Sequence, residues 1–328
     1  MSCDAPAVCV VVVSDYGGGP DGDWDYLAKA LAAVGSQSFA EGAEVCLVDS
    51  APAGPPMPDR LATIVPSMRV IRDRTRQASE LVDVAARDSR ADLVALLDAD
   101  CVPAPEWLGA AVAAMRRYPD AAVVSGLTAY PGKRFTYRVL GTLLRSFVDP
   151  GGPGRTRFVT SNNAVFRRDV LLAHPVPTIE PRHLAARLQT EAIHADGGGL
   201  YFEPRMRVTH RFDGWASERR IRRRVGYRAI RLRQLDARAP YAWLVRVGVV
   251  ALPFVVAGRT LDSWRDCVRA GRHFGLRWFE LPAAFAIAVA VHVLEIGGMR
   301  AAFRDERATR LARAPARDAV ADPDRSVR

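Results

Sequence analysis

The chain has 328 residues, of which 49% are hydrophobic and 25% are charged, and its formal net charge at pH 7 is +10. This length suits one large domain or two ordinary ones, and the composition excludes a disordered chain, a collagen-like repeat, a disulfide scaffold and a polytopic membrane protein. The charge is divided unevenly, because residues 1–150 carry 14 basic and 19 acidic side chains whereas residues 151–328 carry 32 and 17. This asymmetry indicates that the two halves have different tasks.

Short apolar runs alternate with helical patterns through the first part of the chain. Four of these runs predict buried β-strands, at residues 8–13, 44–49, 68–71 and 93–97. Helical patterns follow the first and third runs, at residues 27–34 and 79–86. Strands that alternate with helices in this way are typical of parallel β-α-β units, so the sequence predicts an α/β sheet.

The pattern changes beyond residue 200, where arginines and then apolar stretches dominate. Before that point the sequence predicts a helix at Trp107–Arg117, a strand at residues 121–125 and a short helix from Asp169. Residues 205–238 contain twelve arginines and three acidic residues at largely helical spacing. The sequence therefore predicts four regions: an α/β domain (1–215), a basic amphipathic helical segment (216–240), a hydrophobic helical region (241–300) and a mobile tail (301–328).

Carboxylates stand at the ends of three predicted strands. Asp15, Asp49 and the pair Asp98 and Asp100 each close or directly follow a buried run. Ligands bind at the carboxyl ends of strands in parallel α/β sheets, so these side chains predict a functional site. Asp98 and Asp100 can both reach one hard divalent cation, which would in turn bind phosphate oxygens. The same spacing also suits a solvated turn that caps the next helix, and the spacing alone leaves both interpretations open.

Five segments resemble, in the same order, the motifs of one enzyme family. Residues 96–108 read Leu-Leu-Asp-Ala-Asp-Cys-Val-Pro-Ala-Pro-Glu-Trp-Leu and resemble the signature of family 2 glycosyltransferases. Residues 8–16 and 44–50 look like the first two nucleotide-binding strands of that family. Residues 160–168 are similar to its small-Asn-x-x-x-Arg-Arg segment, and residues 201–210 match its Pro-to-His ending. The resemblance implies the GT-A fold, a Rossmann-like mixed sheet flanked by helices, here with a C-terminal helical membrane-associated region.

The resemblance also implies roles for individual residues. Asp98 and Asp100 would hold Mg²⁺ or Mn²⁺ against the diphosphate of a nucleotide sugar, and His210 would add a further ligand. The nucleotide-sugar site would consist of Ser14, Tyr16, Asp49, Asp98, Asn162 and Asn163. Of these, Asp49 would contact the base. From the residues alone, His210 is equally a surface or core histidine, and the two asparagines are equally turn residues.

The catalytic base is the point at which the sequence departs from the family. Inverting members usually present a Glu-Asp pair whose Asp deprotonates the acceptor hydroxyl. No such pair occurs between residues 168 and 210, where Glu180 is followed by Pro181. Glu180 and Glu191 are therefore the candidate bases, and either can instead be a solvent-facing helix charge. The Arg-Asn pair that precedes the metal-binding residues in the family is also replaced, by Val82-Asp83.

The basic segment and the apolar stretches behind it indicate lipid as a partner. Three interpretations of the arginines compete: a nucleic-acid patch, an ordinary solvated helix, and a surface for anionic lipid headgroups or a lipid-linked phosphate. The apolar stretches at 247–258 and 281–294 favour lipid, although each is shorter than the ~20 apolar residues of a membrane span. Two spanning helices would place the basic linker between them outside the membrane, contrary to the positive-inside tendency. We therefore expect interfacial or re-entrant helices. The alternative is a pair of buried helices in a soluble subdomain or a dimer interface.

The family resemblance, taken with the basic and apolar segments, implies a hexosyltransferase-like, metal-assisted and inverting glycosyltransferase at the cytoplasmic face of the cell membrane. Its donor would be a nucleotide sugar and its acceptor a lipid-linked or polysaccharide precursor of the cell envelope, with no nucleic acid as partner. Five cysteines at scattered spacings fit a reducing compartment, and the first six residues lack the features of a signal peptide. The alternative is a non-catalytic membrane-associated binding protein on a degenerate glycosyltransferase fold.

Overall fold

A mixed β-sheet flanked by helices forms the core of the α/β domain in the computed structural model, which describes residues 7–15, 24–38, 42–50, 57–178, 182–212 and 214–313. The described strands are β1 (Val8–Ser14), β2 (Ala43–Asp49), β3 (Arg69–Arg72), β4 (Leu93–Asp98), β5 (Cys101–Pro103), β6 (Ala121–Ala129), β7 (Gly154–Arg155), β8 (Asn163–Arg167) and β9 (Gly199–His210). The described helices are α1 (Asp25–Gly35), α2 (Ala78–Asp88), α3 (Trp107–Arg117), α4 (Phe135–Arg145), α5 (Arg168–Ala173), α6 (Arg182–Ala195), α7 (Gly214–Leu235), α8 (Ala242–Val245), α9 (Leu252–Ala270) and α10 (Leu281–Arg313).

The sheet has the order β3-β2-β1-β4-β8-β6-β9-β5, with β7 paired to β9. The four strands predicted from apolar runs are confirmed as β1 to β4, and they are parallel neighbours whose carboxyl ends share one edge. β8 then runs antiparallel to β4, which makes the sheet mixed. Both faces of β1 are buried, since Val8, Val10 and Val12 pack in one core cluster and Cys9 and Val11 in another. Burial on both faces explains why this run is continuously apolar.

The first residues of the arginine-rich segment form a strand, which the sequence analysis does not predict. Residues 205–210 belong to β9, and α7 follows it. Within this part of β9, Arg205 and Arg207 are exposed while Met206 and Val208 are fully buried. That alternation has the period of a strand, and it is hidden when arginines are counted over the whole segment. The helical prediction is therefore wrong for these residues and correct for α7.

The chain divides into two compact units, of which the first comprises Met1–Gly214 and Leu261–Ala288. Within this unit, the later segment packs against α4. Arg138 of α4 forms a bidentate ion pair with Glu280, with N···O distances of 2.9 and 2.6 Å. Buried apolar contacts join the same elements through Val139, Cys267, Leu276 and Ala284. Part of the region predicted to be membrane-associated therefore belongs to the same unit as the sheet, because its apolar side chains have a protein surface to cover.

The second unit comprises Trp215–Thr260 and Val289–Arg328. Its buried apolar cluster contains Ile230, Val245, Ala251, Leu252, Val255, Met299 and Ala302. α10 continues to Arg313, into the segment predicted as a mobile tail, and residues 314–328 lie outside the described residues. Among the described helices, the segment Trp278–Asp305 has the length and apolar composition to cross a membrane, a property it shares with core helices of soluble proteins.

A buried ionic cluster lies inside the second unit. Glu295 is fully buried, and its carboxylate oxygens lie 3.3 Å from Arg222, 2.8 Å from Arg259 and 3.1 Å from His292. α7 approaches α10 closely at this point, because a Cβ atom added to Gly226 would lie only 2.1 Å from the Glu295 carbonyl oxygen. The glycine is therefore required for the contact between the two helices that brings Arg222 to Glu295.

Candidate active site

The carboxyl ends of β1, β2 and β4 bring three predicted site residues to one edge of the sheet. Ser14 is paired with Asp49 across β1 and β2, and Val13 with Asp98 across β1 and β4. Ser14 and Asp49 are fully buried, and Asp49 forms an ion pair with Arg72 at 3.3 Å. Ser14 Oγ has no hydrogen-bond partner in the described part of the chain. A buried hydroxyl without a partner is a group that a bound ligand can satisfy.

Backbone hydrogen bonds hold Asp98-Ala99-Asp100, called the metal motif below, from several strands. The Asp98 N–H donates to the Asn162 carbonyl at 3.2 Å, and the Ala99 N–H donates to a β1 carbonyl at 2.9 Å. The Arg211 N–H donates to the Asp100 carbonyl, also at 2.9 Å. The two carboxylates therefore stand on a turn that is tied to its neighbours on both sides, which fixes their spacing before a ligand binds.

His210 lies beside Asp100 because β5 pairs antiparallel with β9 and aligns Cys101 with His210. His210 Nε2 is 3.2 Å from Asp100 Oδ2, and the potential ligand atoms of Asp100, Cys101 and His210 lie within 4.8 Å of one another. On the other side of the ring, His210 Nδ1 is 2.6 Å from the Arg211 carbonyl oxygen, an acceptor, so Nδ1 carries a proton. In the neutral ring, Nε2 then presents a lone pair next to the Asp100 carboxylate, so the two groups would together be able to hold a cation.

This set of donors fits Mg²⁺ or Mn²⁺. Carboxylate oxygens are the ligands that these cations prefer, and an imidazole nitrogen is acceptable to Mn²⁺. Burial raises the pKa of the Cys101 thiol well above its ordinary value, and the charges of Asp100 and Asp98 raise it further. Cys101 is therefore a neutral thiol, which such cations do not favour. The structure thus brings Asp100 and His210 together, next to Asp98.

The two asparagines of the predicted donor site have different surroundings. Asn162 is 7% exposed, and its side-chain carbonyl accepts a hydrogen bond from Thr160. Asn163 is fully buried: its side-chain carbonyl accepts from the Trp107 indole at 2.8 Å, and its amide nitrogen donates to the Met206 carbonyl at 3.1 Å. Asn163 therefore joins α3, β8 and β9 through both polar atoms of its side chain. The predicted contact of Asn163 with the nucleotide sugar stays a prediction.

A cavity of about 250 Å³ opens beside Asp98. Its walls come from the ends of β1 and β4, the start of α2 and one side of α6, and they include Asp15, Val82 and Gln189. No cationic side chain lines the cavity within the described part of the chain. The family resemblance places an arginine close to Val82, so this wall is neutral where a positive charge is expected.

The comparison with protein families agrees with this geometry. Residues 11–173 match the model of the family described as glycosyl transferase family 2. The chain carries a family 2 glycosyltransferase domain. It is therefore an enzyme that takes a sugar from a nucleotide sugar, and the resemblance seen in the motifs is confirmed at this level. No curated protein sequence gives a significant match.

Solved structures of other proteins are similar to this glycosyltransferase. The chain is similar to the mannosyltransferase PcManGT from Pyrobaculum calidifontis in complex with GDP-Man and Mn²⁺, with a TM-score of 0.53 and 16% identity over 94% of this chain and 88% of that one. S. aureus TarS 1-349 aligns over 92% of this chain and 91% of that one, with a TM-score of 0.49 and 13% identity. The likeness to PcManGT shows the fold alone, which is the GT-A arrangement of a mixed sheet with flanking helices.

The general base of the glycosyltransferase stays a prediction. Glu191 lies on α6, forms an ion pair with Arg187 at 2.8 Å and does not line the cavity beside Asp98. Glu180, the other candidate base, lies outside the described residues. Tyr16 of the predicted donor site also lies outside them.

The sequence analysis misses one cation at the glycosyltransferase site. Arg145, the last residue of α4, is half-buried. Burial alone would lower its pKa, but the pKa is raised because Tyr130, Cys101, Asp100 and Asp98 lie near enough to favour the charged form. No local pattern marks this residue, since its position beside the metal motif depends on how α4 packs.

Proposed function

We propose that this glycosyltransferase transfers a hexose from a nucleotide sugar to a lipid-linked or polysaccharide acceptor of the cell envelope, with Mg²⁺ or Mn²⁺ at the metal motif. We propose further that the reaction inverts the anomeric carbon. The observation that supports the metal-assisted reaction most is the pair of His210 Nε2 and Asp100 Oδ2, which are 3.2 Å apart next to Asp98. A divalent ion bound there would neutralise the charge that develops on the leaving nucleoside diphosphate.

The residues of the site have separate tasks in this reaction. Asp98 and Asp100 would hold the cation, and the hydrogen bond of His210 Nδ1 to a backbone carbonyl would leave Nε2 available as a further ligand. Ser14 and Asp49 bind the nucleoside at the ends of β1 and β2, where both side chains are buried. A carboxylate of this chain takes the proton of the acceptor hydroxyl as that oxygen attacks the anomeric carbon. The acceptor loses a proton, the new glycosidic bond forms, and the bond to the diphosphate breaks.

Donor turnover with and without metal tests this proposal. The full chain is incubated with GDP-mannose and with a panel of UDP-sugars in the presence of Mn²⁺, and the release of nucleoside diphosphate is measured. We expect at least one donor to be consumed, and we expect EDTA to reduce the rate by about tenfold or more because the leaving group loses its counter-charge. PcManGT was solved with GDP-Man and Mn²⁺, which makes this pair the first to test. Turnover that is the same with and without EDTA would contradict the metal site.

We also propose that the enzyme works at the cytoplasmic face of the cell membrane, bound through its second unit. From α8 to the first turn of α9, large apolar side chains are exposed: Trp243 is 69% exposed, Val250 72% and Phe254 63%. Arg246 is exposed in the same segment. Exposed apolar side chains accompanied by tryptophan and arginine are typical of a surface that inserts into the headgroup region of anionic lipids.

A vesicle assay tests the membrane surface. We expect the full chain to float with vesicles that contain phosphatidylglycerol and to bind pure phosphatidylcholine more weakly, since the arginines interact with negative headgroups. Val250→Asp should reduce the bound fraction by about tenfold, because it removes an inserted apolar side chain and adds a charge. Leu188→Asp, at a residue of α6 that is 41% exposed, is the matched control and should bind like the unmodified chain. Equal loss in both variants, or no binding to either vesicle, would refute this surface.

A further inference from the structure

A cavity of about 250 Å³ lies in the second unit, where α7 ends and α8 follows. Its wall, called the arginine cavity below, consists of Arg233, Gln234, Leu235, Ala237, Ala242, Val245 and Arg246. Within the described part of the chain, this wall contains two arginines and no acidic side chain. The cavity is smaller than the roughly 300–1,000 Å³ of a pocket for a drug-sized molecule. Its size and its charge therefore suit a small anionic group such as a phosphate.

The first arginine of this cavity is buried and held by the backbone around it. Arg233 is 8% exposed. Its Nε atom donates a hydrogen bond to the Pro240 carbonyl, and its Nη1 atom donates to the Ala229 carbonyl, both at 2.7 Å. The guanidinium carbon also lies 5.9 Å from the centre of the Tyr241 ring. These contacts fix the plane of the guanidinium, so a ligand does not have to order this side chain when it binds.

The second arginine of the cavity stands among exposed apolar side chains. Arg246 is exposed and directly follows α8. Trp243 precedes it on α8, and Val247 and Val249 come directly after it, and all three are exposed. A soluble phosphate bound at Arg246 would leave these apolar surfaces in water, whereas the acyl chains of a lipid would cover them. The combination therefore favours a phosphate that is attached to a lipid over one in solution.

The charge of the headgroup distinguishes one class of anionic lipid from another. A phosphomonoester carries a charge of about −1.5 to −2 at neutral pH, whereas a phosphodiester such as phosphatidylglycerol carries a single negative charge. Two arginines in one cavity match the larger charge, and the planar donors of each can bind two phosphate oxygens at once. We propose that the arginine cavity binds the phosphomonoester headgroup of a membrane lipid. This inference rests on the proposed membrane surface and adds a headgroup preference to it.

Vesicles of matched surface charge test this preference. Flotation of the full chain is measured with phosphatidylcholine vesicles that contain either phosphatidic acid or phosphatidylglycerol, mixed to give the same zeta potential. We expect binding to phosphatidic acid to be about fivefold tighter, which corresponds to about one additional arginine interaction at a membrane surface. Arg246→Gln should bind both kinds of vesicle alike, because one of the two cations is lost. Arg246→Lys should keep part of the preference, because it retains the charge without the planar donors.

Arg238→Gln is the matched control. Arg238 is exposed and close to the cavity in sequence, but it does not line the cavity. Its loss should weaken binding to both vesicles by the same factor and leave the preference for phosphatidic acid unchanged. If Arg238→Gln abolishes the preference as Arg246→Gln does, the effect is one of general charge and the headgroup site is refuted.

The remaining outcomes separate this inference from the proposed membrane surface. Equal binding of the unmodified chain to the two vesicles would overturn the headgroup site and leave the membrane surface intact. Calorimetry with glycerol 3-phosphate tests the soluble alternative: an affinity equal to that for phosphatidic acid vesicles would show that a free phosphate is the occupant, which also overturns the inference. Absence of binding to either vesicle would instead refute the membrane surface, and the inference with it.

Discussion

Asp100→Ala should lower kcat/KM for donor turnover by about 10²- to 10³-fold and abolish its response to Mn²⁺. Asp100 Oδ2 lies 3.2 Å from His210 Nε2, so the variant removes a predicted ligand and the carboxylate that faces the histidine. The loss should fall mainly on kcat, because the cation acts on the charge that develops as the diphosphate leaves. Initial rates over a Mn²⁺ titration, at several donor concentrations, provide the measurement.

Two variants control for this result. Glu106→Ala removes another carboxylate close to the metal motif in sequence, from an exposed residue at the start of α3, and should retain the activity of the unmodified chain. His210→Gln should lower the rate less than Asp100→Ala, and it should shift the Mn²⁺ titration to higher concentrations because one nitrogen ligand is lost. An Asp100→Ala enzyme that retains metal-dependent turnover would show that the cation binds elsewhere.

The sequence predicts the residues at the strand ends of this site because short local patterns determine where those strands begin and end. Runs such as 8–13 and 93–97 are apolar throughout, which is the signature of strands buried on both faces, and a parallel arrangement forces their carboxyl ends to one edge. The alternation of strands and helices therefore already predicts that Asp49 and Asp98 lie near each other. The family resemblance adds His210, whose place beside Asp100 depends on the antiparallel pairing of β5 with β9.

Other features depend on packing between distant segments, which composition and periodicity do not report. Asn163 stands in a motif that lines the donor site in the family. Here it is paired with Leu97, and its fully buried side chain accepts a hydrogen bond from the Trp107 indole. The pKa of Arg145 is raised by Tyr130, Cys101, Asp100 and Asp98 only because α4 packs where it does. The apolar residues of 261–288 satisfy the composition of a membrane region equally well when they cover α4, since an apolar side chain gains similar free energy from protein or lipid.

Glu295→Ala should destabilise the second unit by about 3–5 kcal/mol, the cost typical of removing one partner from a buried ion pair. The variant leaves Arg259 without the carboxylate at 2.8 Å and leaves Arg222 with only its pair to Glu218, also at 2.8 Å. The Arg222 side chain is 4% exposed, so water cannot replace the missing charge. Hydrogen exchange in α7 and α10 measures the effect locally, because these helices should open more often while β1 to β4 keep their protection.

Matched variants distinguish the effect of losing this buried charge from the effect of losing any charge. Arg220→Gln removes an exposed charge from α7 and should change the free energy of opening of that helix, measured by hydrogen exchange, by less than about 0.5 kcal/mol. Glu295→Gln keeps the shape and some hydrogen bonds, so its effect should lie between those of the other two variants. If Glu295→Ala resembles Arg220→Gln, the cluster does not hold the second unit together. If it loosens α7 and α10 as expected, the ionisable groups of this apolar helix serve to pair the helices internally.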